Sequence, residues 1–263
     1  MIGRWGFSVA DIFSRLGGKL GVLTTRLADY RLFYRLEKFT MISQSKFAVN
    51  LEIARWFSHV PGAVVECGTW KGGMIAGIAT ALGSHREYFL FDSFEGLPPA
   101  QPSMDGEAAL RWQADTASPN YFENCKAAED DAREAMKFAG VSDARISKGW
   151  FRDTLPDAEF PDGIAILRLD ADWYEPTMEI LDHLFKFVRK DGVIIIDDYH
   201  TWEGCSRAVH DFLAKHRCVE RINERFGVCY IRKLTDTRPS GSPPLGTRGR
   251  QAPRVMDTAL NPR

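Results

Sequence analysis

Residues 62–83 read GAVVECGTWKGGMIAGIATALG: a short apolar run, a glycine-bearing turn and a second apolar stretch closed by Gly83. The first run has strand length and the second has helix length. REYFLFDSF at 86–94 follows as another strand. Working outward, the same rhythm returns in ARISKG (144–149), GIAILRLD (163–170) and GVIIIDD (192–198), with the amphipathic PTMEILDHLFKFVRKDG (176–192) between the last two. Strands that alternate with helices form a parallel sheet covered on both faces. Further on, SRAVHDFLAKH (206–216) reads as a helix, then CVERIN (218–223) and GVCYIRK (227–233) as a hairpin that sets one antiparallel strand into the sheet. The expected class is α/β, mostly parallel, with one antiparallel C-terminal strand and helices on both faces.

Other stretches fall outside that rhythm. In residues 1–38, Phe7, Val9, Ile12, Phe13 and Leu16 recur at near-helical spacing, which predicts an amphipathic helical arm suited to the main domain, a second subunit or a membrane surface. Phe47, Leu51, Ala54 and Trp56 fit a helix that leads into the first strand and is stopped by Pro61 and Gly62. Residues 96–120 form a long insertion after the second strand, either a lid or a passive excursion. Residues 235–263 combine Pro, Gly, Ser and Arg with little to bury, and a disordered tail is expected there.

With 263 residues, 44% of them hydrophobic, the chain suits one α/β domain with extensions. A formal charge of -1 gives no basic field for nucleic acid. The five cysteines, Cys67, Cys125, Cys205, Cys218 and Cys229, show no CxxC spacing and cannot all pair, so they read as reduced thiols of a cytoplasmic protein. No run has the length of a membrane span, and the first residues lack a long apolar stretch and a cleavage site. Stable membrane insertion is not expected.

The chemistry-bearing residues sit where strands end. Asp170 and Asp172 close ILRLDADW, and Asp197 and Asp198 close VIIIDDYH. Carboxylates crowded at neighbouring strand ends repel, and protonation or a hard oxygen-loving cation such as magnesium relieves them. Acids at strand ends also simply meet solvent, so one alone would carry no weight. In VVECGTWKGG, Glu66 precedes a turn with Gly68, Gly72 and Gly73, a GxxxGG spacing that differs from the GxGxxG dinucleotide fingerprint. An acid there repels a pyrophosphate but attracts the ammonium of S-adenosylmethionine. Asp92, ending FLFD, stands where nucleotide-binding folds place an acid on ribose hydroxyls, or else caps the turn onto Ser93.

The blocks VECGTWKGG, FDSFEGLP, KGWFRDTLP, LRLDADWYEPT and IIIDDYHTWEGC together resemble the TylF/MycF-type macrocin O-methyltransferases over about residues 38–233. The resemblance implies a Rossmann-like class I methyltransferase fold over 39–234, with S-adenosylmethionine and magnesium methylating a hydroxyl, notably on sugars of natural products. It further implies that Glu66, Gly68 and Gly72 line the methionine end of the cofactor, with Asp92 and its neighbour Ser93 at the ribose. Met41, in the TMIS block, approaches the same site, and Gly149 and Trp150 flank the adenine. Asp170, Asp197 and Asp198 are the implied metal ligands, and Asp172 the implied base.

Methyl transfer from a sulfonium is an in-line displacement in which the acceptor hydroxyl must be aligned and must lose its proton. Asp172 suits that task, with His200 as the fallback base or a capping residue. Trp173, Tyr174, Tyr199 and Trp202 border the acids and suit either a sugar or the core. A DxD-type nucleotide-sugar glycosyltransferase would leave the Glu66 turn unexplained, and an aspartyl phosphatase would need its DxD earlier. A non-catalytic S-adenosylmethionine-binding module predicts binding without turnover. The acceptor is expected to be a small molecule or glycan, and the protein a homo-oligomer whose arm completes a partner's site.

Overall fold

A computed structural model describes residues 24–236; the arm positions Phe7 to Leu16 and tail residues 237–263 lie outside the described residues. The strands are β1 (Ala63–Cys67), β2 (Tyr88–Asp92), β3 (Arg145–Lys148), β4 (Ile164–Leu169), β5 (Val188–Ile196), β6 (Ile222–Arg225) and β7 (Val228–Arg232). They form one seven-stranded sheet in the order β3-β2-β1-β4-β5-β7-β6. The first five pair in parallel, while β7 runs antiparallel to β5 and carries β6 at the edge. The alternation read from the glycine-punctuated runs is therefore the architecture found. Two boundaries differ: β5 begins at Val188, inside the stretch read as helix, and β6 covers Ile222–Arg225 rather than 218–223. At Val188 pairing with Ile164 wins over helical periodicity, and the ladder then shifts register between Ile164 and Ile166.

The helices are α1 (24–36), α2 (Gln44–Trp56), α3 (Gly73–Leu82), α4 (Pro102–Ala114), α5 (Phe122–Cys125), α6 (Glu129–Phe138), α7 (Phe151–Thr154), α8 (Tyr174–Leu184) and α9 (Glu203–Lys215). Period-2 alternation divides the sheet between two cores. Val64, Leu90, Ile166 and Ile195 pack with α1, α2, α3 and α6, while Val65, Phe91, Leu167 and Ile194 pack with α8 and α9. Each such side chain, fully buried, contributes about 1.5–3 kcal/mol of apolar transfer. The described part of the expected arm belongs to the first core through Phe33 and Leu36.

Residues 96–120 include α4, whose two helical pieces meet at a kink where Gly106 has φ +78°. It is tied down at several points: Asp105, which is buried, accepts from Tyr174 N (2.7 Å) and Gln101 N (2.6 Å), and Arg207 donates to the Ser103 carbonyl (2.6 Å). A Cβ on Gly204 would fall 2.2 Å from Asp105 Oδ1, so only a glycine lets α9 begin this close to α4. No described helix is long and apolar enough to cross a membrane.

Candidate active site

Strand order reverses between β1 and β4, the position where open α/β sheets bind ligands beyond their carboxyl ends. Gly68 makes this crevice. Its φ is +82°, and a Cβ there would lie 1.5 Å from the Asp170 carbonyl oxygen, so the chain leaving β1 touches the chain leaving β4. A pocket opens beside it, lined among others by Met41, Gly68, Asp92, Ser93, Gly149, Trp150, Asp170 and Asp172.

The fit to S-adenosylmethionine rests on several groups. Asp92 accepts from Trp70 N and Phe94 N, each at 2.7 Å, which fixes its carboxylate at the pocket wall. Burial raises its pKa to about 6. Glu66 lies behind the pocket with 1% exposure; Oε1 accepts from Arg168, but Oε2 has no partner. An unpartnered buried acceptor costs about 1–3 kcal/mol, so a cationic ammonium suits this oxygen. Burial, opposed by Arg168, pushes the Glu66 pKa up to about 8. Gly72 does not line the pocket. It starts α3 at φ +79°, and a Cβ there would come 3.0 Å from the Ala132 backbone of α6, so its role in the structure is close helix packing.

Asp170, Asp172 and Asp198 each bring a carboxylate oxygen to within 4.8 Å of the others. All three pKa values are raised, first by burial; Asp172 reaches about 8, with Asp170 the next contributor. Three crowded oxygen donors fit a hard dication such as magnesium. Asp172 has φ +55°; its backbone N–H donates to Asp198 Oδ2 (3.3 Å) and its Oδ1 accepts from Trp202 Nε1 (2.7 Å).

Besides Glu66 and Gly72, which do not line the pocket, Asp197 and His200 stand outside the group formed by Asp170, Asp172 and Asp198. Asp197, expected beside Asp170 and Asp198 as a metal ligand, is held by Arg168, which also holds Asp170: its Oδ1 accepts from Arg168 Nη2 (2.6 Å), and its Oδ2 lies 4.0 Å from Lys46 Nζ. Successive residues leaving a strand point in opposite directions, and here it is Asp198 whose carboxylate meets those of Asp170 and Asp172. His200, expected as the fallback base, faces the hairpin instead, with Nε2 3.2 Å from Cys229 Sγ and 3.8 Å from Glu224 Oε2. It does not line the pocket. Trp173 is buried with its indole on the Pro98 carbonyl (3.0 Å), and Tyr199 is paired with His210 (2.8 Å).

Arg168 is the residue that the sequence reading missed. With 1% exposure it donates to Glu66 (2.9 Å), Asp170 (2.8 Å), Asp197 (2.6 Å) and Asn50 (3.2 Å). Its signal was a lone cation inside the aliphatic run IAILRL, a position that a buried parallel strand grants only to a paired charge.

A family model described as macrocin-O-methyltransferase (TylF) matches residues 37–232. The demethyldecarbamoylnovobiocin O-methyltransferase of Streptomyces niveus is 34% identical over 171 residues, 63% of this chain and 63% of that protein. The chain thus spans 63% of the length of this curated relative. The mycinamicin III 3''-O-methyltransferase of Micromonospora griseorubida is 33% identical over 184 residues, 66% of this chain and 69% of that protein. Among solved structures, the O-methyltransferase NovP superposes with a TM-score of 0.61 at 29% identity, over 75% of this chain and 83% of its own. The calicheamicin methyltransferase CalS11, at 18% identity and a TM-score of 0.51 over 88% of this chain and 98% of its own, shares the fold. With five parallel strands ending at one crevice and a family match across that whole sheet, the chain belongs to the macrocin-O-methyltransferase (TylF) family.

Proposed function

We propose that this chain is a magnesium-dependent O-methyltransferase that moves a methyl group from S-adenosylmethionine to a hydroxyl, on a sugar of a natural product or on a glycan. The observation that carries the reading is the meeting of Asp170, Asp172 and Asp198 oxygens within 4.8 Å at a pocket whose wall includes Gly68 and Asp92. The relatives' printed activities on novobiocin and mycinamicin precursors support the sugar hydroxyl as acceptor class.

In this reading Glu66 Oε2 binds the cofactor's ammonium, Asp92 accepts from its ribose hydroxyls, and Gly68 brings bare backbone against its methionine end. Gly149 and Trp150 border the adenine, Trp150 by ring packing, and Met41 and Ser93 complete the wall. Bound S-adenosylmethionine supplies an electrophilic methyl on a sulfonium. Asp170 and Asp198 would hold magnesium, which would supply Lewis acidity towards the acceptor hydroxyl. Asp172 takes the hydroxyl proton as the oxygen's electron pair forms the new C–O bond and the C–S pair stays on sulfur. The same reading places the protein in the cytoplasm, where its five unpaired thiols stay reduced, and makes it a homo-oligomer.

Two assays test it. Calorimetry is expected to show binding of S-adenosylmethionine but not of NAD or UDP-glucose. Labelled methyl transfer to demethyldecarbamoylnovobiocin, mycinamicin III and simple rhamnosides is expected with Mg2+, to stop in EDTA and to return on adding Mg2+. No affinity for S-adenosylmethionine, or transfer indifferent to EDTA, would overturn the reading.

A further inference from the structure

We infer that Trp202 is the positioning residue for Asp172, fixing the orientation of its carboxylate through the hydrogen bond to Oδ1. The inference rests on the reading of Asp172 as base given above.

An indole N–H donates and never accepts. Trp202 Nε1 donates to Asp172 Oδ1 at 2.7 Å, so that oxygen is held as an acceptor, and a proton on it would weaken the bond. The other oxygen, Oδ2, is thereby held in one direction. The peptide of Asp172 is fixed as well, by its φ of +55° and its N–H to Asp198 Oδ2 at 3.3 Å. With backbone and one oxygen held, rotation of the carboxylate is the freedom that Trp202 removes.

The indole is itself held from several sides. Trp202 N donates to the Asp198 carbonyl at 3.0 Å, which ties the start of α9 to the DD turn. Its ring meets Trp173 edge-on at 5.0 Å and Trp112 of α4 at 5.9 Å. Trp112 and Trp173 give their own N–H groups to the carbonyls of Asn120 and Pro98, each at 3.0 Å, whereas Trp202 gives its to the acid. Three indoles packed edge to face make a rigid base for one hydrogen bond, and α4 supplies one of them. Groups that orient an active-site residue in this way typically carry about 10–100-fold of the activity.

The test uses the full chain. In protein labelled with 15N-tryptophan, the Trp202 indole resonance is identified among the seven tryptophans by its absence in Trp202→Phe. Asp172→Asn is expected to shift that resonance, and an unmoved resonance would overturn the inference. In turnover of a rhamnoside or antibiotic precursor that the parent methylates, Trp202→Phe is expected to lower kcat by roughly 10–100-fold while the acceptor KM and the calorimetric affinity for S-adenosylmethionine stay within about twofold. Trp202→His, which keeps a ring donor, is expected to recover part of the loss and gives a second variant should the phenylalanine protein fail to fold. The double variant with Asp172→Asn is expected to be no slower than Asp172→Asn alone. A loss lodged in KM, additive losses, or full activity of Trp202→Phe beside an inactive Asp172→Asn would overturn the positioning role and leave the base reading standing. A fully active Asp172→Asn would overturn both.

Discussion

Glu66 on β1 and Arg168 on β4 stand directly opposite each other in the sheet register, with Arg168 Nη1 2.9 Å from Glu66 Oε1 and 1% of either side chain exposed. The same guanidinium reaches Asp170 and Asp197. One buried cation thus sits between the acid suited to the cofactor's ammonium and an acid suited to the metal. Its charge is what allows so many carboxylates to share the end of one sheet.

Removing that cation should cost stability before it costs chemistry. Arg168→Met is expected to lower unfolding free energy by about 3–5 kcal/mol, because it strands buried carboxylates without a partner. Urea unfolding followed by circular dichroism reads this directly. A midpoint equal to the parent's would mean that the network contributes nothing net.

Glu66 sets a pH dependence on the protein without its ligands. Its pKa rises on folding from the ordinary 4.5 to about 8, so the folded state holds a proton that the unfolded state has released. Stability from this group is present in full below pH 4.5 and is lost as pH climbs through about 8. Thermal midpoints are expected to fall across that window and to fall less in Glu66→Gln. The same variant is expected to bind S-adenosylmethionine roughly 10–100-fold more weakly by calorimetry, the worth of one charge-assisted hydrogen bond. Unchanged affinity would separate Glu66 from the cofactor.

The two residues of the DD pair should behave differently. Asp198→Asn and Asp170→Asn are expected to weaken Mg2+ or Mn2+ binding about tenfold or more, while Asp197→Asn acts mainly on the urea midpoint through its lost bond to Arg168. Metal titration of the three variants decides between this division and a shared ligand set. If Asp197→Asn loses metal as fully as Asp198→Asn, the carboxylate must swing from Arg168 to the ion.

Gly68→Ala is expected to be more damaging than its size suggests. The new methyl would enter the Asp170 carbonyl at a backbone angle of +82°, so β1 and β4 would have to part. A stability loss well above 1 kcal/mol, together with loss of cofactor affinity, is expected. A variant that folds and binds as the parent does would show that the crevice is looser than this contact implies.

Most of the sheet was legible because the buried strands are predominantly apolar runs bounded by glycine or acid, as in GAVVECG and GVIIIDD. The hairpin and the helices between were legible for the same reason, and their ends less so, since pairing of Val188 with Ile164 is a tertiary event that periodicity does not record. For the site, the positions of Gly68, Asp92, Asp170 and Asp172 followed from strand ends. The partition of Asp197 from Asp198 did not, because the pairing of Asp197 with Arg168 is a tertiary contact that motif spacing does not record. Nor did the link from Trp202 to Asp172, which joins residues on two separate loops. Residues 96–120 read as an insertion by composition, yet Asp105 and Trp112 anchor it to the body of the protein.

Where Gly68 meets Asp170, main chain touches main chain, and Asp92 and the two acids of DAD line one continuous pocket beside that contact. No wall has to be crossed between them. A synthetic inhibitor that joins an adenosyl group to a metal-chelating diol therefore needs just a short tether, and lengthening it would forfeit affinity through idle atoms rather than gain reach.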